Sequence, residues 1–465
     1  MPTPARIRRL TVAPATALAA ALAALTLAGC SLDLQNPNAP TVEQVTTSPD
    51  GVIALATGLQ GRFATSYFNY AYMAGLVTDE FAATSAALIS ISDAEQGAVP
   101  SGTGIAENVF NSIYRTVRTA DDLLTGANAL SAQFDAGTRS GLQALAYALK
   151  AEALGEALQS YQRIPIRTFG EVAPTYVTRA EALPYVRALL DSAAAILTAT
   201  PPSTFFNTNI LTPGVSLPNI VQLFRARYAR MAGDDATALT AANLVARTGT
   251  AALSALTFPA PAVNPYAAVT GGPNGIAVRR QWRLSMLPED RRFQYFVTPS
   301  TTLTGRVGAL LDPWNRYANP QSPLPVYMPD EALLIKAEAL ANQNQLAAAQ
   351  ATLDSVRTDC TGGRGLDDPK ACLPALSGQL TQAQLVAEIY TQRRYELLGT
   401  GLRWEDARRR SAVRGPVAAP AVPSDAQRCW LPYALGDRNA NPNATFAALP
   451  DPAEPGTFPA SCPLQ

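Results

Sequence analysis

From Met328 to Arg357 the chain is written in a helical period. In Asp330-Glu331-Ala332-Leu333-Leu334-Ile335-Lys336-Ala337-Glu338-Ala339-Leu340 apolar residues return at helical spacing behind Pro329, a residue suited to a helix start. Asn342-Gln343-Asn344-Gln345 is a polar turn, and Leu346, Ala349, Leu353 and Val356 then mark the inner face of a second helix. The small side chains of Ala337, Ala341 and Ala349 let the two helices approach closely. A helix with one apolar stripe must bury it against another element, so a chain built of such pairs has few architectures open to it.

The same pattern recurs from Ile220 to Ala246, turning at Met231-Ala232-Gly233-Asp234-Asp235. It recurs again from Leu142 to Leu197, where Tyr161-Gln162-Arg163-Ile164-Pro165-Ile166 separates two Ala/Leu-rich helices. No run of alternating strand residues is convincing. The expected fold is mostly α, a tetratricopeptide-like scaffold with helix pairs at about 142–197, 220–246 and 330–357. Between about 248 and 329 the texture changes. Pro259, Pro261, Pro265, Pro273, Pro299, Pro313, Pro320, Pro323 and Pro325 break any long helix, with Trp282, Tyr295, Trp314 and Tyr317 scattered among them. A long irregular excursion in a helical protein is usually functional or disordered, and this density of aromatics predicts order.

The chain has 36 Lys+Arg, 36 Asp+Glu and no His. Without an imidazole there is no Ser-His-Asp or Cys-His nucleophile system and no His-containing zinc site. A charge balance of zero argues against a broad nucleic-acid footprint. At the N-terminus Arg6, Arg8 and Arg9 precede an apolar run of about fourteen residues that ends in Leu27-Ala28-Gly29-Cys30. That run is too short to span a bilayer and has the form of a bacterial lipoprotein signal. Residues 1–29 are expected to be a signal peptide and Cys30 the site of lipid attachment; removing three arginines and no acid takes the formal charge from zero to −3. One acyl chain anchors only marginally, whereas two or more hold stably. Ser31, where an Asp would favour inner-membrane retention, makes the outer membrane the expected location of the lipid anchor. The remaining cysteines, Cys360, Cys372, Cys429 and Cys462, are an even set in an exported chain. Proximity favours pairing Cys360 with Cys372 and Cys429 with Cys462.

The most informative segment lies near the end. Thr381 and Gln384 form a capping-box start, Leu385, Ile389 and Leu397 share a face, and Gly399 offers a C-cap. In Gln392 to Arg409 the charged residues have two physical readings. They are a solvated face with i,i+4 pairs from Glu405 to Arg409 and Asp406 to Arg410, or a cluster tying one helix to the next.

Arg393-Arg394-Tyr395-Glu396-Leu397 and Gly401-Leu402-Arg403-Trp404-Glu405-Asp406-Ala407-Arg408 resemble the signature of the SusD/RagB family of nutrient-binding lipoproteins. Gln392 and Thr400 stand where that family usually has Glu. Glu331 to Ala339 with Leu353-Asp354-Ser355-Val356-Arg357, Pro288 to Arg292, Tyr161 to Pro165, Leu431-Pro432-Tyr433 with Asn439 to Asn441, and Cys30 to Thr41 resemble further family elements in the family's order. The resemblance covers nearly all of 30–465. It implies one α-helical domain whose irregular region carries the ligand site, no catalysis, and delivery of oligosaccharides or peptides to a SusC-like TonB-dependent barrel.

A sugar ring offers an apolar face and a polar edge, so its capture needs an exposed aromatic platform beside amide or charged groups. Two clusters have that make-up. Tyr67-Phe68-Asn69-Tyr70-Ala71-Tyr72 lies early, with Asp79 and Glu80, and Trp282, Arg283, Trp314, Asn315, Arg316 and Tyr317 lie in the excursion. Tyr67, Asn69, Tyr70, Trp282, Trp314 and Tyr317 are the candidates taken from them; Trp404 and Trp430 belong to the structural landmarks. No cofactor and no metal is expected. Asp437-Arg438-Asn439-Ala440-Asn441 opens like a calcium loop, but Pro442 replaces the Gly and Ala448 the closing Glu. Gly271 to Gly275 and Gly362 to Gly365 lack the Lys-Ser/Thr of a phosphate loop. The alternatives are a helical-repeat scaffold for envelope assembly and a glycoside hydrolase using two carboxylates.

Overall fold

Ser48 opens the first long helix, its Oγ accepting the Gly51 N–H at 3.2 Å, with Pro49 where a helix needs no donor. The computed structural model describes residues 41–409 and 429–441, apart from 79, 98, 100, 101, 103, 248–253 and 361–367. Met1–Gln44 forms a small unit of its own, in which the Thr41 N–H donates to Gln44 Oε1 at 2.8 Å. Cys30 and the proposed signal lie outside the described residues. Val45–Gln465 forms the main unit.

Its long helices are α1 (Pro49–Leu76), α2 (Gly104–Ala129), α3 (Ala136–Ser160), α4 (Arg179–Ala199), α5 (Leu217–Met231), α6 (Asp235–Asn243), α7 (Glu331–Asn342), α8 (Leu346–Arg357), α9 (Gln382–Glu396) and α10 (Leu402–Arg409). Most pack on their chain neighbours, α1 on α2, α2 on α3, α3 on α4, α5 on α6 and α7 on α8, and α7 also covers α6 and α9. Small residues set the approach. Ala337, Ala341 and Ala349 are fully buried with Leu353, Val356, Leu385 and Ile389 between α7, α8 and α9. A Cβ on Gly155 of α3 would lie 1.7 Å from the Tyr228 hydroxyl of α5. Capping follows the sequence: Thr381 and Gln384 exchange hydrogen bonds at the start of α9, and Asp234 caps α6 through the Thr237 N–H at 3.0 Å.

Two features depart from the sequence reading. The connection between α3 and α4 is not a short loop but an antiparallel pair, β2 (Arg163–Pro165) with β3 (Tyr176–Thr178). The excursion also contains strands. β1 (Phe81–Ala83), β5 (Ile276–Arg279) and β6 (Leu311–Asp312) form a three-stranded antiparallel sheet in the order β1-β5-β6, and β4 (Ala255–Leu256) pairs with β7 (Leu324–Pro325). Every residue of β1 and β5 is buried, so no alternation marks them, and they are too short to show a period. The sheet stitches the excursion to the segment that follows α1.

Cys360 and Cys372 are disulfide-bonded across a Cα–Cα distance of 4.3 Å. Cys429 is disulfide-bonded too, and Cys462 lies outside the described residues.

The charged signature is interior. Arg393, Glu396, Glu405, Asp406 and Arg408 are buried, so the solvated-face reading fails and the inter-helix cluster stands. Asp406 accepts from Arg230 of α5 and from Arg393 of α9, each at 2.7 Å. Arg230 also bonds Glu338 of α7. Glu405 accepts from Arg179, the first residue of α4, at 2.6 Å and from Arg408 at 3.2 Å. Arg227 of α5 forks onto Glu331 with two bonds of 2.7 Å and reaches Glu152 of α3. Arg227 and Arg230 thus each join acids on two different helices, a geometry that a lysine ammonium does not reproduce.

Burial pushes the Glu405 carboxyl upward, but Arg179, Arg408 and Arg409 overcome it and hold the group at about 2. Arg393 and Arg230 likewise hold Asp406 below the usual carboxylate range against burial. Groups lowered in the fold stabilise it above their unfolded values, near 4.5 and 3.8, and that stability is lost as pH falls through the folded values. Stability measured by urea titration with far-UV circular dichroism is therefore expected to fall steadily between about pH 4.5 and pH 2. Glu405→Gln is expected to cost about 3–5 kcal/mol at neutral pH, because it leaves buried guanidinium charge uncompensated, and to flatten that acid slope.

Candidate functional site

The two aromatic clusters separated by about two hundred residues meet in space. On α1, Phe63, Tyr67 and Tyr70 follow helical spacing on one buried side, while Phe68 and Tyr72, four residues apart, contact each other with centroids at 5.5 Å. Phe68 meets the ring of Tyr266 edge-on at 5.0 Å. Tyr266 stacks on Tyr317 at 4.6 Å with planes 11° apart, and Trp314 lies 5.4 Å from Tyr317 and 5.2 Å from Phe81 of β1. Edge-on and stacked pairs of this kind add about 0.5–1.5 kcal/mol each beyond their buried area.

Gly401 of the signature and Gly399, the C-cap glycine just before it, fit this assembly. Gly399, at φ +75°, offers its carbonyl to the Tyr266 hydroxyl at 2.5 Å, and a Cβ there would come within 3.3 Å of Trp314. Gly401, at φ +80°, has the Tyr70 ring 2.4 Å from the position of a Cβ. The Tyr70 hydroxyl lies 2.9 Å from the Gly401 carbonyl and from Gln159 Oε1. Both glycines are therefore required by left-handed backbone and by close aromatic approach. The two positions where Glu was replaced are also accounted for. Gln392 donates to Glu388 at 2.7 Å, and the Thr400 hydroxyl donates to the Leu397 carbonyl at 2.7 Å, closing the turn between α9 and α10.

At its edge the assembly reaches solvent. The Arg316 guanidinium lies 6.0 Å from the Tyr317 ring centroid and 4.9 Å over Tyr295, both Arg316 and Tyr295 being half-buried. Asn315 is exposed, with its Nδ2 donating to the Gln294 carbonyl at 2.9 Å. On the α1 side Asn69, half-buried, donates to Ser112 Oγ at 3.1 Å. The Trp314 Nε1–H is buried and finds no acceptor among the described residues. An aromatic face flanked by amides and a guanidinium can stack on an apolar ring face and bond its polar edge. A cleft of about 430 Å³ between α4 and the α5–α6 turn, lined by Arg179, Leu183, Pro184, Arg187 and Met231, has no aromatic wall, and its arginines are engaged by Glu405 and Asp234.

Residues 319–429 match the model of the SusD family. Most of the chain has the corresponding fold. Superposition on surface glycan-binding protein A from Bacteroides uniformis gives a TM-score of 0.63 at 14% identity, covering 83% of this chain and 98% of that one. A SusD superfamily protein from Parabacteroides distasonis gives 0.66 at 14%, covering 85% and 98%. A putative sugar binding protein from Bacteroides vulgatus gives 0.63 at 16%, covering 85% and 97%. No curated protein matches the chain. The chain is SusD/RagB-like.

The SusD-like fold moves several sequence candidates into the core. Trp282 is fully buried and donates its Nε1–H to the Arg394 carbonyl at 3.0 Å, so it holds the end of α9 rather than a ligand. Tyr70 is committed to the Gly401 turn, and Tyr67 is buried on the inner side of α1. Trp314 and Tyr317 are buried as well, their faces taken by Phe81 and Tyr266. Arg283 bonds Asp312 at 2.6 Å. Tyr266 and Phe81, which join the two clusters, carried no local signal in the sequence beyond being aromatic. Of the calcium-like segment, Asp437 bonds the Tyr176 hydroxyl and Asn441 the Pro174 carbonyl at 2.9 Å. Gly401→Ala in this SusD-like chain is expected to lose about 2 kcal/mol or more, from left-handed strain and overpacking against Tyr70, as read by thermal and urea unfolding.

Proposed function

We propose that this chain is a lipid-anchored nutrient-binding protein of the outer-membrane surface, which captures oligosaccharides, or peptides, and hands them to a SusC-like TonB-dependent transporter without catalysing their breakdown. The observation that carries the reading is the match of 319–429 to the SusD family together with the SusD-type fold along most of the chain. Two of the similar structures are described as a surface glycan-binding protein and a putative sugar binding protein, which supports a carbohydrate as the ligand class. The proposed domain plan is a signal peptide over 1–29, acylation at Cys30 and one mature domain over 30–465.

The ligand face in this proposal is the solvent edge of the aromatic assembly. Tyr295 and Arg316 form the platform, Asn315 supplies an amide, and Trp314 and Tyr317 stand behind it. Trp282, Tyr67 and Tyr70 support that edge from the core. Stacking plus a few oriented hydrogen bonds suits a ligand that must be released to a transporter, since moderate affinity permits hand-over.

Isothermal titration against a panel of oligosaccharides and peptides is expected to show a saturable ligand that is recovered chemically unchanged. Tyr295→Ala combined with Asn315→Ala is expected to weaken it by about tenfold or more while the melting temperature stays near that of the parent. Affinity for no member of the panel, or appearance of cleaved product, contradicts the proposal. Purification of the tagged protein from its own membrane in mild detergent is expected to bring a TonB-dependent barrel with it in stoichiometric amount.

A further inference from the structure

The disulfide-closed loop brings together acids that no function described so far uses. Asp330 precedes α7, Asp359 follows α8, and Asp368 comes from the far side of the loop between Cys360 and Cys372. All three are buried, and one carboxylate oxygen of each lies within 4.8 Å of the others. Oxygens around one calcium ion, bound at about 2.3–2.6 Å, span distances of this size. Lys370 already treats the place as a cation position: its Nζ donates to Asp359 Oδ2 at 3.0 Å and to Asp368 Oδ1. Arg247 reaches Asp330 from the opposite side.

A second observation points the same way. Glu396, in the signature at the end of α9, is 1% exposed, and neither of its carboxylate oxygens accepts a hydrogen bond among the described residues. Its nearest cation, Arg292 Nη1, stands at 3.6 Å and is shared with Asp290. The acids whose charges act most strongly on Glu396 are Asp330 and then Asp368. Asp368 Oδ2, on a side chain with no exposure, is also without a hydrogen bond. Buried carboxylate oxygens without donors are costly unless a cation or a proton serves them.

We propose that Asp330, Asp359 and Asp368 form a divalent-cation site of the calcium class, with the Glu396 carboxylate at its edge. The donor set is all oxygen: the chain has no His, and Cys360 and Cys372 are in a disulfide, so a soft or borderline metal has no preferred ligand here. The ion joins the start of α7, the end of α8 and the loop that follows it. It thereby also steadies the Pro288–Arg292 segment, because the Arg291 N–H donates to the Ala371 carbonyl at 3.1 Å.

The test is calorimetric and thermal titration of the full chain, dialysed against EDTA, with CaCl2 at constant ionic strength. One ion per chain is expected with a Kd at or below about 1 mM, the weak end of calcium modules, and with a rise in melting temperature. Lys370→Met, which removes the competing ammonium, is expected to tighten binding about tenfold; Asp359→Asn with Asp368→Asn is expected to weaken it at least as much. Absence of heat and of any melting shift up to about 10 mM calcium in both the parent and Lys370→Met overturns the site. So does unchanged affinity in the double Asn variant, or a response to sodium equal to that to calcium. None of these residues belongs to the proposed glycan face, so loss of calcium binding with glycan binding intact separates the two.

Discussion

A buried carboxylate must have a cation with good geometry, and in this fold that requirement sets the arrangement of the helices. Asp406 and Glu405 sit on α10, and the guanidiniums that satisfy them come from α4, α5 and α9. Arg227 and Arg230, on one side of α5, reach α3 and α7 in addition. Displacing any of these helices by one turn would strand charge in a medium that does not solvate it, at a cost of several kcal/mol. Only Lys150, Lys336 and Lys370 are lysines among 36 basic residues, and the structure gives this bias a use: Arg179 on Glu405 and Arg227 on Glu331 are forked, and a fork needs a guanidinium. Arg408 shows the same economy, lying over Trp404 at 4.9 Å and Trp430 at 4.3 Å while donating to the Cys429 and Gln159 carbonyls.

The network ends where the aromatic assembly begins. The turn between α9 and α10 carries Gly399 and Gly401, whose carbonyls receive Tyr266 of the excursion and Tyr70 of α1. Tyr266 on the Gly399 carbonyl thus joins the irregular region to the helical scaffold, beside Trp282 on the Arg394 carbonyl and Tyr395 on the Ser285 carbonyl. A ligand platform placed at the solvent edge of that joint inherits the rigidity of the helices, which favours recognition by preformed surface. The segment matched to the SusD family, 319–429, holds α7 to α10 and the two glycines of this joint, while Tyr70 and Tyr266 lie outside it. Its charged and glycine residues act on packing, since Arg393, Glu396, Glu405, Asp406 and Arg408 are buried and Gly399 and Gly401 admit close aromatic approach.

Helices and their caps were legible because each leaves a local mark. Asp234, Thr381 and Gln384 sit at their helix starts, and Ala337, Ala341 and Ala349 line the α7–α8 contact where the apolar period places them. The strands were not legible, since β1 and β5 are three and four residues long and buried on both faces. The fate of the signature charges was undecided in sequence, because Glu405 and Arg408 fit either a wet face or a tertiary pair until Arg179, more than two hundred residues earlier, is known to reach them. Aromatic clusters showed where density lies but not which ring faces water: Trp282 and Trp314 look alike in sequence, yet one caps a helix carbonyl and the other backs a half-exposed rim. The acids at 330, 359 and 368 carried no motif at all, and only the disulfide-closed loop brings them together.

The claim that buried Arg–carboxylate pairs register the helices is tested most directly by a double-mutant cycle on Arg230 and Asp406. Arg230→Met, Asp406→Leu and the double variant would be compared with the parent by urea unfolding. A coupling energy of about 2 kcal/mol or more, with the double variant more stable than at least one single variant, is the predicted result. A coupling below about 0.5 kcal/mol, the size of an exposed surface pair, would contradict it.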